Sequence, residues 1–275
     1  MRPARFRISL LLCLLGAWSL GPAVPAAQAA PSCHGRRATI VGTSGHDQLR
    51  GKRGRDVIVG FGGGDRIVGA GGDDTICGGK GFDVISGGAG TDLIDGQGGN
   101  DKLSGGRGND TLEGWTGKDK QFGGLGDDHL LGGQGNDEMD GGPGGDGASF
   151  AEAPAPMTVD LTAGTASGWG ADKLSGIQDV TGSGKFGDHL SGGPGPDALR
   201  GKGGPDLLRG RGGNDRLTGD RGDDQAFGGG GNDHLEGNIG NDDLDGGPGV
   251  DHLNGGQGID HCNHGDGNDT NCERR

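Results

Sequence analysis

Gly105-Gly106-Arg107-Gly108-Asn109-Asp110-Thr111-Leu112-Glu113 is one of a long series of nine-residue units. Its sixth residue is Asp110. The same residue type stands nine positions earlier (Asp101) and nine later (Asp119). The beat runs unbroken through Asp47, Asp56, Asp65, Asp74, Asp83, Asp92, Asp101, Asp110, Asp119, Asp128, Asp137 and Asp146. It resumes in a new phase at Asp188 and continues through Asp197, Asp206, Asp215, Asp224, Asp233, Asp242, Asp251, Asp260 and Asp269. In the first array the first and fourth places of every unit are Gly, and the eighth is mostly Leu or Ile, from Leu49 and Ile58 to Leu103 and Leu112. A fixed period of this kind is the mark of a repeat architecture.

Each unit has a local meaning. Six Gly-rich residues make a turn, because Gly enters the left-handed region without steric cost. Three residues remain, with an apolar one in the middle. Side chains alternate faces along a strand, so place eight points one way and places seven and nine the other. A strand with one apolar residue cannot form a core alone, so successive units must stack. Turn, strand, turn, strand makes an 18-residue coil with strands in two parallel sheets. The expected fold is all-β: a parallel β-roll solenoid of two arrays joined by an irregular spacer.

Composition agrees with a repeat and excludes much else. Gly and Pro supply 82 of 275 residues, while Leu, Ile, Val and Phe supply only 49. With a formal charge of −14 this is the composition of a disordered chain. It offers too little apolar area for an ordinary enzyme core. A disordered chain, however, has no reason to keep a strict register. The acidity argues against nucleic acid as a partner.

Residues 1–29 stand apart. Arg2, Arg5 and Arg7 precede an apolar run from Ile8 to Leu20, and Ala27-Gln28-Ala29 fits a small-x-small cleavage site. This reads as a secretory signal peptide, too short to span a bilayer comfortably. Its loss removes three Arg and takes the charge from −14 to −17. With no second long apolar segment, the product is expected outside the cell with no stable membrane insertion. The remaining boundaries are an N-terminal cap at 30–41, the first array at 42–149, the spacer at 150–182, the second array at 183–272 and a tail at 273–275. In the spacer, Met157, Val159 and Leu161 alternate like a strand, and Gly170-Ala171-Asp172-Lys173-Leu174 looks like a degenerate unit. It is expected to continue the roll.

Stacking sets the sixth-place carboxylates of units i and i+2 on one edge, about 4.8 Å apart. Each pair repels by about 0.9 kcal/mol in water and about 3.5 kcal/mol at an effective dielectric of 20. A bare roll is therefore not expected to stand. A cation between the carboxylates reverses the sign. Carboxylate plus turn carbonyl is hard-ligand chemistry that suits Ca2+ better than Mg2+ or Zn2+.

The pattern GGxGxD-x-(L/I)-x resembles the RTX (repeats-in-toxin) calcium-binding nonapeptide family. That resemblance implies a β-roll that folds on binding multiple Ca2+ ions held between successive turns. Carried to this chain, it makes Asp47, Asp56, Asp65, Asp74, Asp83, Asp92, Asp101, Asp110, Asp128, Asp137, Asp197, Asp206, Asp215, Asp224, Asp233, Asp242, Asp251 and Asp260 the expected metal ligands. Eighteen filled sites would turn −17 into +19, so some are expected to be weak or empty. The suspect units carry Arg55 or Lys118 at place five, Ser183, Phe186 or His264 at a glycine place, or Gln121 or Asn271 at the core place. Phe122 and Phe227 put the apolar group at place nine.

Four cysteines follow the signal segment, as an oxidising compartment allows. Cys33–Cys77 and Cys262–Cys272 are the favoured pairs, each pinning an end. Free thiols, or a soft-metal cluster at His261-Cys262-Asn263-His264, are the alternatives. His234 and His252 are 18 apart and should stack on an exposed face. No HExxH or GxSxG occurs, and no enzymatic role is expected. The expected function is a secreted calcium-binding structural module. The alternative is calcium-dependent cell-surface adhesion, with the surface partner unidentified.

Overall fold

A computed structural model describes residues 30–264, 268–270 and 272. The expected signal segment and the tail lie outside the described residues, as does Asn271.

The described residues contain strands and turns and no helix. Two sheets run the length of the repeats. One stacks strands such as Val57–Gly62, Thr75–Lys80 and Leu93–Gly98; the other stacks Arg66–Val68, Val84–Ala89 and Lys102–Arg107. Pairing is parallel with an offset of 18: Ile58 sits beside Ile76, Ile85 beside Leu103, and Leu217 beside Leu235. The result is a β-solenoid of about twelve turns.

The core is as thin as one apolar residue per unit allows. Ile58, Ile67, Ile76, Ile85, Ile94, Leu103 and Leu112 are fully buried between the sheets. A second cluster runs from Leu130 to Leu253. Each such residue contributes roughly 1.5–3 kcal/mol by leaving water. Between the clusters stands Gln121, wholly buried at the core place. Its amide NH2 donates to the carbonyls of Leu112 (3.2 Å) and Leu131 (2.8 Å), while Oε1 has no partner.

The spacer keeps both sheets continuous. In one, Gly147–Ser149 and Asp179–Thr181 pair directly. In the other, Thr158–Asp160, Thr165–Ser167 and Ala171–Ser175 form an antiparallel excursion between the arrays. Phe150, Met157, Val159 and Val180 fill its interior.

Both ends are fastened. Cys33 is bonded to Cys77 and Cys262 to Cys272, with Cα–Cα distances of 5.8 Å. At the C-terminal end the register slips. His252 pairs with Asn268, so Asp269 falls at the register position of Leu253 rather than on the aspartate edge. His234 and His252 stack with ring centroids 4.8 Å apart.

Candidate metal centre

The glycine turns bring the sixth-place aspartates onto two edges. On one edge the backbone N–H of each aspartate donates to Oδ1 of the next: Asp47 to Asp65, then Asp83, Asp101, Asp119, Asp137 and finally Asp172. The other edge runs Asp56, Asp74, Asp92, Asp110, Asp128, Asp146 and ends on Gln178 Oε1. After the spacer, two ladders restart. Asp188, Asp206, Asp224, Asp242 and Asp260 form one; Asp197, Asp215, Asp233 and Asp251 form the other. These bonds measure 2.7–2.9 Å. The expectation of simple carboxylate repulsion omitted this donor: a peptide N–H of the preceding coil holds one oxygen of every aspartate that follows another on its ladder.

The second oxygen is another matter. Oδ2 is buried without any hydrogen-bond partner in Asp65, Asp74, Asp83, Asp92, Asp101, Asp110, Asp119, Asp128, Asp137 and Asp146. The same holds for Asp206, Asp215, Asp224, Asp233, Asp242, Asp251 and Asp260. A buried acceptor left this way costs roughly 1–3 kcal/mol, and more when charged. What faces it is a second acceptor. The point where a Cβ on Gly114 would sit lies 2.5 Å from Asp119 Oδ2 and 2.6 Å from the Gly132 carbonyl of the next coil. At Gly78 the corresponding distances are 2.5 Å to Asp83 Oδ2 and 3.1 Å to Gly96 O. Glycine is required there because a side chain would fill the cradle. Ca2+ binds oxygen at 2.3–2.6 Å, so an oxygen-lined hollow of this size and charge fits a hard cation.

Burial leaves its mark on proton affinity. It pushes Asp206 up to about 8, Asp101, Asp110, Asp119 and Asp224 up to about 7, and Asp92, Asp172, Asp215 and Asp242 up to about 6. The N–H bond to Oδ1 works against this rise, and neighbouring carboxylates reinforce it.

Four turns differ. In Asp47, Asp56, Asp188 and Asp197, Oδ2 accepts a backbone N–H at 2.6 Å, from Thr43, Lys52, Ser183 and Gly193 respectively. In the Asp188 turn Gly182, not Ser183, packs against the carboxylate, so this turn is one residue longer than the sequence spacing implies. Among the suspect units, those of Lys118 with Gln121 and of Phe227 are regular, while the last unit, with His264, loses the ladder register. Asp119, beside Lys118 and Gln121, is completely buried on the ladder. Arg55 turns outward to Asp73, 3.3 Å away. Asp119, Asp146, Asp172 and Asp188 join the ladders although the expected ligand set left them out. The Asp-x-Leu spacing of Asp172-Lys173-Leu174 and, for the other three, the nine-residue beat were their signals.

These features define a β-solenoid whose turns are anionic, oxygen-lined and short of donors. The family model of the RTX calcium-binding nonapeptide repeat matches residues 41–76, 71–103, 95–128, 116–148, 191–226, 227–262 and 237–270. The matches cover well over half of the chain, and the chain belongs to that family. No curated protein matches it.

Proposed function

We propose that this chain is an exported protein that folds into its β-roll on binding several Ca2+ ions, and that it serves as a structural or binding module outside the cell. Calcium binding follows from family membership; export, ion count and role are this reading's additions. The row of seventeen partnerless, buried Oδ2 atoms supports it best. Each is charged or forced to hold a proton, and turn carbonyls, which cannot donate, border hollows such as that at Gly114. The interior aspartates would hold the ions, with turn carbonyls completing the shells. Ca2+ is scarce inside cells and abundant outside. Metal-binding energy is folding energy, so such a chain would cross the export machinery unfolded and lock outside.

The test is circular dichroism of the chain lacking residues 1–29 during a Ca2+ titration, with Mg2+ as control. Coil-to-β conversion with Ca2+ alone is expected. A complete β signal in excess chelator at pH 7.5 would sink the reading.

A further inference from the structure

The N-terminal end holds a group that the aspartate ladders do not use. Residues Ser32–Cys33 and Arg36–Arg37 form a hairpin, with Cys33 paired to Arg36. Its two-residue tip, His34-Gly35, has φ of 47° and 74°, as a tight hairpin turn requires. The hairpin lies on the outer face of a sheet. The Cys33–Cys77 disulfide and a 2.7 Å bond from Arg36 Nη1 to Thr75 Oγ1 hold it there.

His34 thereby comes to rest over place nine of the next coils. Asp95 and Glu113 occupy that place on adjacent parallel strands, in register. Like charges side by side in a sheet are destabilising. Asp95 is 5% exposed, and its Oδ1 has no partner. Its Oδ2 lies 3.2 Å from His34 Nε2. One ligand atom from each of His34, Asp95 and Glu113 falls within 4.8 Å of the other two. The carboxylates are themselves oriented. Trp115 Nε1 donates to Glu113 Oε2 at 3.1 Å, and Gln97 Nε2 to Asp95 Oδ2 at 3.4 Å.

We infer that His34, Asp95 and Glu113 form a binding site for one divalent transition-metal ion of the zinc class, separate from the calcium ladders. Bonds of about 2.0–2.1 Å at a tetrahedral angle set neighbouring donor atoms about 3.3 Å apart, which the His34–Asp95 distance already matches. Glu113 closes by at most about 1.5 Å, within reach of a rotamer change. An imidazole beside two carboxylates suits zinc-class ions better than Ca2+, which takes oxygen alone. Trp115 and Gln97 are the outer groups that hold such ligands in place. Three protein ligands leave a position for water. The ion fastens the hairpin tip to two successive coils, beside the disulfide.

Zn2+ is titrated into the Ca2+-saturated protein and followed by calorimetry. Co2+ absorption serves as a spectroscopic readout, and circular dichroism confirms the roll in every variant. One Zn2+ per chain is expected. His34→Asn, which keeps a residue suited to the hairpin tip, and Glu113→Gln should each weaken binding at least tenfold and abolish the visible Co2+ bands. His234→Ala should change nothing. Absence of Zn2+ binding, retention of full affinity in both variants, or a loss that follows His234 instead would overturn the inference.

Discussion

The turns of Asp47 and Asp110 have the same glycine spacing and the same aspartate, yet they treat the carboxylate differently. At Asp47, the N–H of Thr43 reaches Oδ2. At Asp110, Oδ2 has no donor at all. The backbone at place two separates them. Thr43, Lys52, Ser183 and Gly193, in the four opening turns, stay outside the left-handed region. In the interior turns place two is left-handed, even at non-glycine residues such as Phe61 (78°), Trp115 (71°), Lys202 (82°) and Arg211 (77°). That setting withdraws the N–H from the carboxylate. An opening turn thus satisfies its own charge, while an interior turn accepts both backbone strain and an orphaned oxygen. Such a combination calls for either a proton on the oxygen or a cation in the hollow.

The largest expected effect sets ion against proton. Asp92, Asp101, Asp110, Asp119, Asp206 and Asp224 have raised proton affinity in the roll, so the metal-free roll binds more protons than the unfolded chain. Its stability is fully present below about pH 4 and is lost as pH rises through the range 6–8. In chelator, β content should therefore rise as pH falls from 8 to 4. With Ca2+ present the trend should reverse, because protons compete for the ligands. A metal-free signal that is flat or opposite in pH would break the distinction between the two kinds of turn.

Next comes the contrast between single aspartates. Asp110→Asn should cost about 3–5 kcal/mol of the stability measured by denaturant titration in Ca2+, as removal of one partner of a buried charge pair does. Asp47→Asn should cost about 1 kcal/mol, the worth of an ordinary hydrogen bond. Equal losses would show that opening turns hold ions as interior turns do.

Gln121→Leu removes the buried, partnerless Oε1 and joins the two core clusters. It should stabilise the Ca2+-loaded protein by about 1–3 kcal/mol in thermal unfolding. A loss of Ca2+ binding instead would tie Gln121 to the Asp119 turn rather than to packing.

The smallest effect tests the backbone itself. Lys202→Gly relieves a left-handed residue and should be neutral or stabilising by up to about 1 kcal/mol. Lys52→Gly, in an opening turn, should destabilise by about 0.5–1 kcal/mol. The same sign for both would dissolve the conformational difference.

Much of this was legible early. The Gly-Gly-x-Gly-x-Asp spacing predicts the turn, the Leu or Ile at place eight predicts the inward face, and the 18-residue coil predicts the pairing of Ile58 with Ile76. The ladder's N–H donors were not legible, because they join residues 18 apart through backbone that carries no sequence signal. Asp172 was harder still: it reaches Asp137 across 35 residues of irregular chain.

Period and composition alone determined that the chain must stack its units, that its core is one residue thick and that its edges are acidic. These follow from local sterics and from how few apolar side chains there are to bury. Only the assembled coils decided which oxygen of each aspartate is satisfied, which turns flip at place two, and that His34 meets Asp95 and Glu113. Those outcomes depend on the neighbouring coil. A peptide's orientation, and the charge it faces, are fixed by contacts that no single nine-residue unit contains.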